Sequence, residues 1–196
     1  ADETIAALAG RIRPCQRFVP SGHKLSLALV RADSCQGEAG VQNAEALALD
    51  MALWDQLGCL SPSAAFVVGP GAEGASAEFS ASLARARAAV PQTLPRGEVS
   101  LEAAAAIRGE REEARMRGAG VQVHASKGTE WTVISEADAR WRPAPLHRFI
   151  RVHPLARLEE LEDALGPVVR NLSSVALAGF DPDQEATAQV TRALTG

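Results

Sequence analysis

Apolar and polar positions change their spacing several times along the chain, and each change marks an element. Residues 4–12 read as a short helix that Asp2 or Thr4 can cap and Pro14 stops. Residues 25–30 form an apolar run without a helical stripe. Following Arg17-Phe18-Val19, that run suggests buried strands of an α/β sheet. Over 41–57 the sequence lacks Gly and Pro, is rich in Ala and Leu, and is apolar around most of its circumference, which predicts a central buried helix. Gly58 is expected to supply the left-handed residue that ends it, and Ser61-Pro62 prevents its resumption. A strand is then expected over 64–68, so Cys59 falls in a tight helix-to-strand connection.

A second helix is expected over 72–89, with Phe79, Leu83, Ala86 and Val90 on one face and Pro91 ending it. Residues 92–97 read as a loop. Ser100 opens a third helix that runs to Arg117, closes at Gly118 and Gly120, and spaces Glu113 and Arg117 to pair. Short strands over 121–124 and 131–135 suit a hairpin around Lys127-Gly128, and 149–152 reads as another strand. A short helix over 158–165, a strand over 173–178 and a final helix over 183–194 complete the pattern. Alternation of strands and helices argues an α/β fold.

At 196 residues the chain is long enough to bury a core, and 46% hydrophobic against 22% charged residues is an ordinary globular balance. A net charge of −4, with no basic stripe interleaved with aromatics, argues against nucleic acid as a partner. No apolar run is long enough to span a bilayer and no signal-like segment opens the chain, so a cytoplasmic location is expected. Cys15, Cys35 and Cys59 cannot all pair and lack metal-site spacing; no metal is expected, and each thiol is either a small buried hydrophobe or a reactive group.

The chemistry concentrates in Trp54-Asp55-Gln56-Leu57-Gly58-Cys59-Leu60-Ser61-Pro62. A thiol on a Gly-flanked turn can meet a substrate with its own backbone N–H nearby, as an oxyanion site requires. A thiol needs local help to act as a nucleophile at neutral pH, and the carbonyl end of the preceding helix does not provide it. Trp54 is expected to anchor the buried helix, and Asp55 and Gln56 to hold the loop. Arg108, Arg111, Arg115 and Arg117 suit the C-terminal dipole of their helix and solubility. His124, His147 and His153 read as surface or satisfied groups, and Cys15 and Cys35 as structural.

This segment resembles the active-site stretch of the LuxC-type acyl-CoA reductases, within the aldehyde dehydrogenase superfamily. The resemblance extends to Gly22-His23-Lys24-Leu25-Ser26 and Ala32-Asp33 before it, and to Trp131-Thr132-Val133-Ile134 and Arg148-Phe149-Ile150-Arg151-Val152 after it. It implies an aldehyde-dehydrogenase-like catalytic domain of three αβα layers over 33–196. Residues 1–32 are then the end of a Rossmann-like dinucleotide-binding domain. It also implies that Cys59 attacks a long-chain acyl-CoA thioester to form an acyl-enzyme, which NADPH reduces to fatty aldehyde, and that the protein assembles into a homo-oligomer. Hydrolytic relatives carry a general-base glutamate before a Gly-Gly-Lys segment. The matching Ser21-Gly22-His23-Lys24 has no carboxylate, which favours reduction over hydrolysis. His23 is expected near Cys59, favouring the thiolate.

The chain departs from the superfamily in four ways. No glycine-rich phosphate fingerprint follows a strand near its start, so the isolated chain is expected to bind NADPH poorly or not at all and to be inactive alone. The oxyanion-holding side-chain amide of the superfamily would lie before residue 1, and the chain is expected to stop before the family's C-terminal segment. The glutamate that meets the nicotinamide ribose would align near Leu146 or His147. Arg148 occupies a family position to which no role is assigned. Two other readings compete: a thiol acyltransferase or thioesterase using Cys59 without nicotinamide, and a noncatalytic acyl-CoA-binding or assembly module in which Cys59 only packs.

Overall fold

The computed structural model describes residues 2–19, 22–90, 93–181, 188 and 190–192. Six strands form one sheet: β1 (Leu25–Arg31), β2 (Ala64–Val68), β3 (Gln122–Ala125), β4 (Thr132–Ser135), β5 (Phe149–Leu155) and β6 (Leu172–Ala178). Their spatial order is β3-β4-β5-β2-β1-β6, and every neighbouring pair is parallel except the antiparallel β3/β4 hairpin. The central strands are buried on both faces, which explains their near-continuous apolar sequence.

Helices cover both faces. On one side, α2 (Gly37–Ala52) and α3 (Ala72–Ala89) pack on Ala28, Val30, Ala65, Val67, Val133, Ile150 and Val152. On the other, α5 (Leu161–Leu165) packs on Leu27, Leu29, Ala64 and Phe66, and α4 (Leu101–Arg117) covers Ile134 and Phe149. The period-2 alternation of the strands thus feeds two opposite cores. On α3, Phe79 and Leu83 are wholly buried, each worth about 1.5–3 kcal/mol of burial. Ser100 caps α4 by accepting from Ala103 N at 3.1 Å.

The first helix, α1, spans Asp2–Ala9 and ends short of Ile12. Residues 17–19 do not form a strand, and Val19 is exposed. A larger correction concerns α2, which starts at Gly37 rather than Val41 and ends at Ala52 rather than Leu57. It can start early because Gly40 lies against the Cys35 carbonyl, where a Cβ would stand 2.2 Å from the oxygen. Nor is it buried all round: Ala44, Leu47, Ala48, Met51 and Ala52 face the core, while Val41 and Leu49 are exposed. The helix expected over 183–194 falls mostly outside the described residues. No helix among the described residues is long and apolar enough to cross a membrane.

Candidate active site

Where α2 ends, three consecutive non-glycine residues turn left-handed: Trp54, Asp55 and Gln56, at φ 55°, 51° and 65°. Each costs roughly 1–2 kcal/mol for an L-residue, so the turn persists only if its side chains are held. They are. Asp55 Oδ1 meets Arg148 Nε at 2.6 Å, and Asp55 Oδ2 accepts from Gly97 N at 2.9 Å. Gln56 is 1% exposed; its Oε1 accepts from Phe149 N at 2.9 Å and its Nε2 donates to Pro62 O at 2.6 Å. The expected loop-holding role of Asp55 and Gln56 is therefore what the geometry shows.

Two expectations are corrected by the same turn. Gly58 is not the left-handed terminator, because the reversal is made upstream by residues whose side chains are pinned. Trp54 is not a core anchor: with Asp55 and Gln56 drawn inward, the indole is 84% exposed and lies beside Gly58, where a Cβ would stand 3.9 Å from Trp54 Cδ1. Leu53, Leu57 and Leu60 are also exposed.

Cys59 sits beyond this staple, exposed. Its carbonyl accepts from Ser26 Oγ at 2.5 Å, and that hydroxyl is 2.6 Å from Ser174 Oγ on β6. Ser63 donates to Ser26 O through both its amide and its hydroxyl, at 2.9 and 3.2 Å. The turn is thus fastened to the N-terminal ends of β1, β2 and β6. Leu57 N donates to Trp54 O and Ser61 N to Gly58 O, but the amides of 58–60 have no acceptor among the described residues.

Cys59 opens on a cleft of about 410 Å³ whose wall also includes His23, Lys24, Ser26, Gln56 and Trp141. The structure therefore brings His23 and Cys59 to one cavity from different segments. Its far wall runs through Pro143 and Ala144 to Leu146, the first of a second left-handed triplet, Leu146, His147 and Arg148. No carboxylate stands at Leu146 or His147.

The other sulfurs differ sharply. Cys35 is buried, donates to Arg31 O at 3.3 Å, and burial with help from Asp33 and Glu78 pushes its thiol up to about 12. Cys15 is exposed, away from the cleft. His153 is fully buried, stacked on Phe66 at 5.0 Å with Nδ1 3.1 Å from Asp138 O, and burial pulls its imidazole down to about 4. Burial also lowers His124. No group of three His, Cys, Asp or Glu among the described residues could hold a metal ion.

Of the helix arginines, Arg111 is not a solvated dipole group: it is 5% exposed and donates to Thr132 Oγ1, Gly128 O and Trp131 O, pinning the β3/β4 hairpin to α4. Arg117 pairs with Glu113 at 3.0 Å as expected, and also with the fully buried Glu136. Arg115 pairs with Glu112.

Sequence reasoning assigned nothing to Glu136 or Arg151 and left Arg148 without a role. The available signal was one arginine inside an otherwise apolar strand sequence and another directly before it, since a buried guanidinium must have partners. It also passed over Gly69-x-Gly71-x-x-Gly74, which turns β2 into α3. The clefts beside that turn are lined by Asp33, Glu73, Asp138 and Glu160, carboxylates that oppose a phosphate, and the one cation among the described residues of their walls, Arg31, is paired with Asp33. The two clefts beside that turn thus do not offer a phosphate site.

Compared with known proteins, residues 1–195 match the family model described as acyl-CoA reductase (LuxC). No curated protein matches the chain. Among solved structures, the chain is similar to an indole-3-acetaldehyde dehydrogenase in complex with NAD+, with a TM-score of 0.67, 14% identity, and coverage of 98% of this chain and 41% of that one. It is also similar to a Delta-pyrroline-5-carboxylate dehydrogenase from Mycobacterium tuberculosis bound with NAD (TM-score 0.63, 16% identity, 98% and 36% covered). A third is an NAD-dependent benzaldehyde dehydrogenase from Corynebacterium glutamicum (TM-score 0.62, 16% identity, 89% and 38% covered). At these identities the likeness shows the fold, which is that of the aldehyde dehydrogenases, and the chain spans only 36% to 41% of those lengths.

Proposed function

Because the chain belongs to the LuxC acyl-CoA reductase family, we propose that it carries the acyl-transfer half of an NADPH-dependent reductase that converts long-chain acyl-CoA to fatty aldehyde, with Cys59 as nucleophile. The observation that carries this reading is an exposed thiol on a stapled turn, opening on a cleft that His23 shares. Cys59 Sγ bonds to the thioester carbonyl carbon, the carbon–sulfur bond to coenzyme A breaks, and coenzyme A leaves with its electron pair. His23 takes the thiol proton and returns it to the departing sulfur. The unengaged amides of residues 58–60 suit the transient oxyanion. The exposed Leu57 in the cleft wall suits an apolar acyl chain.

The reduction is a different matter. The clefts beside the Gly69-x-Gly71-x-x-Gly74 turn do not fit a dinucleotide phosphate, and no residue of this chain is given a part in hydride delivery. In this reading 1–32 complete a cofactor domain and 33–196 are the catalytic domain, with β1 of the first segment paired to β2 and β6 of the second. The free thiols support a reducing, cytoplasmic setting. The resemblance supports a homo-oligomer.

Full-length protein given acyl-CoA and NADPH is expected to release fatty aldehyde, and Cys59→Ser to release less than a hundredth as much while staying folded. Equal aldehyde from Cys59→Ser overturns the proposal. The part of His23 is read from the pH dependence of Cys59 alkylation in His23→Gln: a shifted profile supports it, and an unchanged one removes it.

A further inference from the structure

We infer that Arg148 is the positioning residue of the Cys59 turn, acting through Asp55 to aim the sulfur at the thioester; the inference rests on the nucleophilic role of Cys59 proposed above. Arg148 is 2% exposed and lies where three segments meet beneath the turn. Its Nε pairs with Asp55 Oδ1 at 2.6 Å, one Nη donates to Leu94 O at 2.9 Å, and the other donates to Ala52 O at 3.3 Å and Pro95 O at 3.5 Å. One planar cation thus joins the last residue of α2, the left-handed turn and the 94–97 loop, and Gly97 N closes the circuit on the second oxygen of Asp55. The next residue, Phe149, gives its amide to Gln56, whose other end holds Pro62 O on the far side of Cys59.

The turn has a reason to move if this junction fails. Three left-handed L-residues are strained, and the side-chain bonds of Asp55 and Gln56 are what hold them. Without the guanidinium, the Asp55 carboxylate loses its buried cation and the triplet can relax toward ordinary backbone. The residues that follow, up to Cys59, would shift with it.

Acyl transfer needs the sulfur along one approach to the carbonyl, and a displacement near 1 Å costs about 100-fold. Alkylation by iodoacetamide has no bound partner to align with. The two reactions of one thiol therefore separate aim from reactivity, which a merely structural role would not do. Lysine cannot replace this arginine, because a single ammonium does not span the fork of partners.

The test is made in the full-length protein. Single-turnover acylation of Cys59 by acyl-CoA is followed by intact mass and alkylation by iodoacetamide, with circular dichroism and thermal midpoint as controls. Arg148→Lys is expected to lower the maximal acylation rate about 100-fold at unchanged half-saturating acyl-CoA, with alkylation within about threefold of wild type. Asp55→Asn is expected to lower it about tenfold, and the double variant to be no worse than Arg148→Lys alone, since both act on one linkage.

Acylation of Arg148→Lys within threefold of wild type, a parallel fall in alkylation, or fully additive losses overturns the inference. Should Arg148→Lys not fold, Asp55→Asn decides alone: acylation lowered with alkylation spared supports the inference, and any other result overturns it. A wild-type protein whose Cys59 does not acylate removes the proposed function and this inference together, whereas failure of the variants alone removes only the inference.

Discussion

Replacing Glu136 by Gln tests the buried charge network that backs the cleft wall. The Glu136 side chain is fully buried after β4, accepting from Arg151 at 2.6 Å and from Arg117 at 2.5 and 2.9 Å, with Arg142 at 3.5 Å. Burial works to raise its carboxyl, but the hydrogen bonds from Arg117 and Arg151 prevail and hold it below the ordinary glutamate range. Arg151, 1% exposed, also pairs with Glu110 and donates from Nε to Pro143 O at 3.0 Å, so the same cation props the cleft segment that contains Pro143.

Gln keeps the shape of Glu136 but leaves the guanidinium of Arg151 with the half-exposed Glu110 as its one anionic partner among the described residues. Removing one partner of such a pair costs about 3–5 kcal/mol, whereas an exposed bridge is worth at most about 1. With a urea slope near 2 kcal/mol per molar, the midpoint should fall by about 2 M in equilibrium unfolding followed by tryptophan fluorescence. Because the folded carboxyl is lowered, its contribution is full above the unfolded value and lost as pH falls through the folded one. The difference between the proteins should therefore be largest near neutrality and shrink in acid. A loss under 1 kcal/mol at pH 7 would refute the reasoning.

His153 should make stability pH-dependent in a nearby window. Its imidazole falls from 6.5 to about 4 on folding, so its share of stability is full above pH 6.5 and is lost as pH falls toward 4, on the order of 3 kcal/mol in total. His153→Gln should flatten the unfolding free energy between pH 7.5 and 4.5; an unaltered slope contradicts this. Iodoacetamide at pH 7.5 should label Cys59 and Cys15 and spare Cys35, as read by peptide mass mapping, and comparable labelling of native Cys35 would be inconsistent with its burial. Ser100→Ala should cost about 1 kcal/mol through the lost cap of α4, measured by urea unfolding, and a neutral result would show that Ala103 N finds another acceptor.

Local signals carried much of the fold. Ser100 with the helical spacing after it located α4, the Phe79 and Leu83 stripe located α3, and the apolar runs at 25–30 and 64–68 located the two adjacent central strands. What local pattern could not carry was any feature whose cause lies far along the chain. Trp54 follows a helix rich in Ala and Leu, so propensity extends that helix through it. Arg148 and Phe149, more than 90 residues on, instead draw Asp55 and Gln56 inward and leave the indole outside. Arg111 was misjudged for the same reason, since the carbonyls it holds belong to a hairpin that packs on α4 only in three dimensions.

Likewise Cys59 could be singled out by its neighbours in sequence, whereas the serines that hold its carbonyl come from strands far away, at Ser26 and Ser174. The pairing of Arg151 with Glu110 and Glu136 is legible only once α4, β4 and β5 are side by side.

The most direct measurement is the intact mass of the full-length protein after brief exposure to a long-chain acyl-CoA without any reductant. A gain of one acyl group, mapped to Cys59 and discharged by hydroxylamine, is the predicted result. No adduct on a folded protein, or the same adduct on Cys59→Ser, would contradict the account.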